Sequence, residues 1–360
     1  MARPFGRRAV FCPEAVAHSP QGGYPASGID LDFSSGRGYA AMHKFRRNAC
    51  SGDAGDKDMN QVTAVKLTGG DGDEAIAVRQ IGPTFGAEIT GMPIHGDVSP
   101  ELLTQFIAAL HRYRVLIVPG LDLDPGDLVA FSRRFGPLEI HARFQNTLPK
   151  HREVFCVGNV ERDGMTASFS RGVEQWHADS SYRAKPSDAS LFYAEIVPDE
   201  GGDTMFADAT AAWRALDPET RRRIDGLQAV HSLETLRLWG ERHNPDRKSD
   251  VSAQNAEFPP IRQPLVRAHP ATGAKSLYLC PAVISHIEDL GPNESADLIE
   301  TLIMHTTQAR FVYNHRWRKG DLVMWDNSAV LHTATLFDHT RYQRLMYRTT
   351  IAGNAPALAD

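Results

Sequence analysis

Two imidazoles and one carboxylate hold a mononuclear non-haem Fe(II) while leaving three coordination positions open. His177, Asp179 and His332 offer such a set in this chain. The same donors also suit Zn²⁺. A His-x-Asp tripeptide alone means little, because 15 His and 27 Asp in 360 residues give about one by chance. The chain has two. His95-Gly96-Asp97 runs into Ser99-Pro100-Glu101, an N-cap Ser followed by Pro at the first helical position. Asp97 and Glu101 there read as charges that favour a helix start. Trp176-His177-Ala178-Asp179 reads as strand instead, with residues i and i+2 on one face. The third ligand is then expected from a strand facing the first across a barrel or sandwich. The apolar run Asp321–Asp326, a turn, and a second apolar run ending in His332 suit that role. Taken alone, His332 reads as a hydrogen-bonded core histidine more readily than as a ligand.

Arg344 and Arg348 fall in an alternating segment that ends at Ile351. As strand residues four apart they share a face, with Cα atoms about 13 Å from each other at about 3.3 Å per residue. Singly, each reads as a surface or salt-bridged arginine. Together on an inward face they are costly unless each meets an anion. A small dianionic cosubstrate and an anionic substrate, one at each end of a pocket, would satisfy both. A salt bridge from Arg348 to a protein carboxylate such as Asp326 or Asp208 is the competing reading.

The ordered set Trp176-His177-x-Asp179, Gly201-Gly202-Asp203-Thr204, Gly320 to Asn327, His332 and Arg344-x-Met-x-Arg348 resembles the taurine dioxygenase family. Within it the likeness is greatest to the 2,4-dichlorophenoxyacetate dioxygenase branch, through Trp-His-Ala-Asp-Ser-Ser and the run from Phe311 to Asn327. It starts near Val78, passes through Phe135-Gly-Pro-Leu-Glu139 and ends near Gly353. The resemblance implies an oxygenase dependent on Fe(II), 2-oxoglutarate and O₂, with His177, Asp179 and His332 as iron ligands. It implies that Arg344 pairs with the distal carboxylate of 2-oxoglutarate, a bidentate contact that guanidinium supplies, and that Thr204 adds a hydroxyl hydrogen bond. Arg348 would face the prime substrate, where the family binds a carboxylate or sulfonate. Related halogenases carry a small residue at the position of Asp179, so the resemblance implies hydroxylation.

The elements that must position these residues are mainly strands, with helices at the edges. Ser99 to Tyr113 and Pro125 to Phe135 read as helices, as do the segment opening at Asp217-Pro218-Glu219 and Asn293 to His305. Val78 to Ile89, Val115 to Val118, Leu265 to Pro270, Ser276 to Cys280 and most of Ala309 to Ile351 read as strands. Polar stretches at Ala142–Gln175 and Trp239–Pro259 read as long loops, the first as a lid. Short strands with ligands on two of them fit a double-stranded β-helix, a jelly-roll variant. Asp179 and His332 are 153 residues apart yet must share one ion, so residues 75–353 are expected to form one dioxygenase domain. Residues 1–58, rich in Gly, Ser, Pro and Arg with a local charge of +2 against −7 for the rest, read as a disordered leader.

Composition sets the remaining bounds. No run approaches the roughly 18 apolar residues of a membrane span. A net charge of −5 without long blocks of one sign leaves no footprint for nucleic acid. Cys12, Cys50, Cys156 and Cys280 lack Cys-x-x-Cys spacing, which points to the reducing cytoplasm and away from a disulfide framework. A small anionic molecule is the expected partner, and a homo-oligomer stays open. A zinc hydrolase and a non-catalytic cupin-like binding module are the rival readings. The zinc hydrolase would not require Arg344 and Thr204, and the binding module would hold a ligand tightly with no turnover.

Overall fold

The computed structural model describes residues 75–141, 144–168, 175–243 and 257–354, with the backbone of a short strand at 357–358. The expected leader, 1–58, lies outside the described residues. Strands β1 (Ala77–Gln80) and β2 (Ala87–Thr90) form a hairpin. Ser99 caps helix α1 (Pro100–Tyr113), its hydroxyl accepting from the Leu102 N–H. Then come β3 (Val115–Val118) and α2 (Pro125–Arg133), the latter capped by Asp124. Strands β4 (Thr147–Leu148), β5 (His151–Gly158), β6 (Glu161–Arg162), β7 (Met165–Thr166), β8 (Ala189–Ile196) and β9 (Thr204–Asp208) follow. Next are α3 (Ala209–Ala215), α4 (Pro218–Ile224), β10 (Gln228–His231) and α5 (Leu233–His243). Four short strands, β11 (Ile261–Pro264), β12 (Val266–Ala268), β13 (Lys275–Leu277) and β14 (Ile284–Ile287), lead to α6 (Pro292–Thr306). The chain closes on β15 (Val312–His315), β16 (Leu322–Asp326), β17 (Val330–Ala334) and β18 (Leu345–Ile351).

Eight strands make the large sheet, in the order β1-β2-β3-β16-β8-β18-β5-β4, antiparallel except for β2 against β3. The small sheet is β15-β9-β17. Phe192, Phe206, Trp317, Val323, Trp325 and Met346 fill the layer between them. On the outer face of the large sheet, Leu116, Leu191, Tyr193, Leu345 and Tyr347 meet Phe106, Leu110, Leu128 and Phe131 of α1 and α2. Strands covered on both faces read as continuous apolar runs, as in β3 and β16. This is the jelly-roll core that the sequence leads one to expect.

Parts of both expected loops are helix or strand. Ala142–Gln175 contains β5, an eight-residue strand of the large sheet. Its first three residues are exposed or half-buried beside the edge strand, so its opening carries no apolar pattern. The part nearest the metal motif, 169–174, lies outside the described residues. Trp239–Pro259 begins inside α5, and 244–256 lies outside them too. Among the described residues no helix is long and apolar enough to cross a membrane.

Candidate active site

His177 and His332 do not face each other across a sandwich. They form an isolated antiparallel bridge, His177 N–H to His332 O at 3.0 Å and His332 N–H to His177 O at 2.8 Å. Residues paired in this way project to the same side, so the rings lie 4.2 Å apart. The bridge adds one rung beyond β17, and the expected strand through Asp179 is absent. The chain turns there instead, with Ser180 at φ 56°. That turn folds the carboxylate back until Asp179 Oδ1 is 3.9 Å from Nε2 of each histidine. One donor atom from each of the three lies within 4.8 Å of the others. His95 and Asp97 are elsewhere: His95 pairs with Asp127 at the surface, and Asp97 with Arg134.

The protonation states suit a divalent metal. His177 Nδ1 lies 2.7 Å from the Gln175 carbonyl, which places the proton there and turns the Nε2 lone pair to the centre. Burial, and then His177, lower the pKa of His332 to about 3, so its ring is neutral. Burial pushes the Asp179 carboxyl up, but Arg348, His332, His177 and Ser190 together hold it well below the usual carboxylate range. Two imidazoles and a carboxylate are the donor set that fits Fe(II).

A hydrogen-bond network holds the carboxylate in this pose. Ser190 Oγ on β8 donates to Asp179 Oδ2 at 2.6 Å, leaving Oδ1 as the oxygen that faces both imidazoles. Asn327 Nδ2 donates to Ser190 Oγ at 3.1 Å, and its Oδ1 accepts from Asp179 N–H and Trp325 Nε1. Asn327 lies within a recognisable motif, but nothing local in Asp188-Ala-Ser-Leu marks Ser190, which only the fold brings to Asp179. Ser190→Ala should weaken Fe(II) binding about 10- to 100-fold, the usual cost of losing a hydrogen bond that orients a ligand. Anaerobic metal titration reads this directly. Unchanged affinity would mean that Ser190 merely fills space.

Arg348 Nη1 donates to Asp179 Oδ1 at 3.1 Å, and its guanidinium sits 5.0 Å above the Phe155 ring. Neither carboxylate named as its rival partner is free, since Asp326 pairs with His269 and Asp208 with Arg114. Among the described residues, Arg348 Nε is buried without a hydrogen-bond partner. Beside it opens a cavity of about 290 Å³, lined by His177, Asp179 and Arg348 and walled by Phe155, Tyr182, Leu236, Phe258 and Val283. Glu139 also lines it, a carboxylate whose pKa burial raises against the opposing pull of Arg183. It accepts from Ser180 Oγ and Ser187 Oγ, tying down the turn that carries Asp179. The sequence shows Glu139 within a motif but gives no hint of this bracing.

Arg344 does not share that cavity. The strand expected to include it starts one residue later, and its register against β8 shifts between Leu345 and Met346. Arg344 is 6% exposed. Burial lowers its pKa to about 10, with Asp203 pulling the other way, so it stays cationic at neutral pH. Among the described residues its side chain has no ion pair or hydrogen bond. It lies flat on Gly202, where a Cβ would come 3.3 Å from Cδ and Nε and where φ is 70°. Glycine here allows the close approach. Thr204 follows two residues later at the start of β9. It pairs with Ala334 while Phe206 pairs with His332, so Thr204 lies on the same face as the metal-side histidine. Buried cations without a carboxylate are rare, because desolvation is not repaid. Arg344 therefore fits an anionic cosubstrate.

The chain is similar to known proteins over most of its described length. A family model described as "Taurine catabolism dioxygenase TauD, TfdA family" matches residues 77–350. The alpha-ketoglutarate-dependent 2,4-dichlorophenoxyacetate dioxygenase of Cupriavidus pinatubonensis is 34% identical over 289 residues, 77% of this chain and 98% of that protein. The (S)-phenoxypropionate/alpha-ketoglutarate-dioxygenase of Sphingobium herbicidovorans is 35% identical over 290 residues, 78% and 96%. Among solved structures, AAD-2 in complex with Mn(II) and N-oxalylglycine matches with a TM-score of 0.66 at 32% identity, covering 78% of this chain and 98% of that one. A taurine dioxygenase from Burkholderia xenovorans gives 0.65 at 29%, covering 78% and 91%. These matches set aside the zinc-hydrolase and binding-module readings. The chain belongs to the TauD/TfdA family and is an Fe(II)- and 2-oxoglutarate-dependent dioxygenase.

Proposed function

We propose that the protein hydroxylates a small anionic substrate, an aryloxyalkanoate-like carboxylate or a sulfonate, as 2-oxoglutarate is converted to succinate and CO₂. The observation that carries this reading is Arg348, a guanidinium at the metal end of an apolar-walled cavity. A guanidinium has five N–H donors, and among the described residues this one makes a single hydrogen bond, to Asp179. The names of the relatives, built on dichlorophenoxyacetate and phenoxypropionate, support an aryl ether carrying a carboxylate.

In this reading His177, Asp179 and His332 hold Fe(II), which with O₂ and 2-oxoglutarate supplies the oxidising power. Arg344 and Thr204 hold the distal carboxylate of 2-oxoglutarate. Arg348 fixes the acid of the substrate and thereby which C–H bond faces the centre. Phe155, Tyr182, Leu236, Phe258 and Val283 take up the substrate body and exclude water. Hydroxylation beside an ether oxygen or a sulfonate yields a product that collapses to a phenol or to sulfite. Residues 75–353 act as one catalytic domain. A cytoplasmic location is part of the proposal, supported by two buried free thiols, Cys156 and Cys280.

Screening aryloxyalkanoates and sulfonates for substrate-dependent succinate release tests the class. A preferred acid should then be compared with its neutral amide in wild type and Arg348→Gln. Wild type should favour the acid strongly, and the variant should lose most of that preference while retaining uncoupled 2-oxoglutarate turnover. Equal discrimination in both proteins would remove Arg348 from substrate recognition.

A further inference from the structure

His177 and His332 share a main-chain bridge, but Asp179 sits at the start of a turn. Residues 179–182 form it, and the Arg183 N–H closes it by donating to Ser180 O at 2.9 Å. Ser180, the residue after the ligand, is in the left-handed region at φ 56°. A residue with a Cβ adopts that conformation at a cost and keeps it where the surroundings hold it there.

Gln263 supplies such a hold from outside the jelly roll. It lies on β11, in the separate three-stranded sheet β11-β10-β14, and is 1% exposed. Its Nε2 donates to Ser181 O at 3.0 Å and to Arg183 O at 2.8 Å. An amide nitrogen carries two hydrogens and an amide oxygen none, so only this orientation of the side chain satisfies both carbonyls. The jelly roll grips Asp179 itself, through Ser190 at the carboxylate and Asn327 at the N–H. The separate sheet grips the backbone that follows. On the other side of Asp179, the Ala178 N–H donates to Cys280 Sγ at 3.3 Å, shortly before β14.

We infer that Gln263 is a positioning residue for Asp179. By fixing the backbone of the turn it fixes where the carboxylate meets the two imidazoles. It acts through main-chain carbonyls and not through a ligand side chain. The inference rests on the assignment of the triad as metal ligands and is independent of which substrate the cavity takes.

The test is Co(II) binding to the full-length protein, followed by the visible absorption of the bound ion, which reports its ligand geometry. Gln263→Met keeps the length and bulk of the side chain and removes both donors. It should weaken Co(II) binding about tenfold, the lower end of the loss when an outer partner of a ligand is removed, and it should alter the spectrum. Ser285→Ala on β14 is the control, since Ser285 Oγ donates to Val230 O at 3.2 Å within the same sheet. It should leave Co(II) affinity and spectrum as in wild type. If Gln263→Met lowers the melting temperature but binds Co(II) with wild-type affinity and spectrum, Gln263 is structural only and the inference fails. A loss of affinity in Ser285→Ala as large as that in Gln263→Met would overturn it equally. If Asp179→Ala binds Co(II) like wild type, the triad assignment fails instead. Should Gln263→Met not fold, Gln263→Asn, which keeps a buried amide but draws it back by one methylene, takes its place under the same criteria.

Discussion

Alanine at His177, Asp179 or His332 should reduce Fe(II)-dependent turnover to background while the jelly roll persists. The fold should survive because the bridge between residues 177 and 332 is made by main-chain groups, which alanine retains. Activity should not, because two donors hold a divalent ion far less tightly than three and leave its geometry undefined. The three variants should differ in one respect. Asp179→Ala also strips Arg348 of its carboxylate, so it should lower the melting temperature more than either histidine variant. Iron stoichiometry, circular dichroism and 2-oxoglutarate-dependent O₂ uptake decide the matter together. Near-normal activity with stoichiometric iron would take a residue out of the triad. His95→Ala serves as the control and should match wild type, since its exposed pair with Asp127 lies outside the centre.

Arg344→Leu should cost about 2–5 kcal/mol of 2-oxoglutarate binding, the range for removing one partner of a buried charged contact. The KM for 2-oxoglutarate should rise steeply, with the KM of the prime substrate much less affected. A second sign accompanies this one. Among the described residues Arg344 is a buried cation without an ion pair, with Asp203 acting on it only at longer range, which burdens the folded state. The apolar variant should therefore melt no lower than wild type when cosubstrate is absent. Wild type should gain stability as 2-oxoglutarate is added, following the linkage between binding and folding, and the variant should gain little. An unchanged cosubstrate affinity would make Arg344 structural. A sharp loss of stability without ligand would point the same way.

Much of this site could be read along the chain because its chemistry is concentrated in a few short segments. The triad, Gly201 to Thr204, and Arg344 with Arg348 are recognisable by residue type and order. The capped helices α1 and α2 follow from Ser99-Pro100 and Asp124-Pro125, where local hydrogen bonding decides the boundary. Periodicity fails where tertiary contacts set the geometry. Asp179 reaches the histidines by a turn at Ser180, which the pattern of alternation cannot distinguish from strand. The polar start of β5 is paid for by its place beside the sheet edge, so hydropathy along that stretch resembles a loop. Ser190 bonds to Asp179 and Trp317 to Thr204, partners 11 and 113 residues away, and no spacing rule connects them. The salt bridge from Arg348 goes to a triad residue, which the turn at Ser180 brings to it, while both carboxylates suggested by sequence pair with other side chains.

The bridge between His177 and His332 makes both imidazoles dependent on one pair of main-chain hydrogen bonds. Among the described residues the rung stands alone, without a strand on the His177 side to reinforce it. An isolated rung opens more readily than the interior of a sheet, and an ion held by both rings clamps it shut from the side-chain side. With His177 and His332 as ligands, metal loading would also be a folding step for the segment around His177. Demetallation would then loosen that segment from β17, and faster amide exchange at residues 177 and 332 in the metal-free protein is the expected sign.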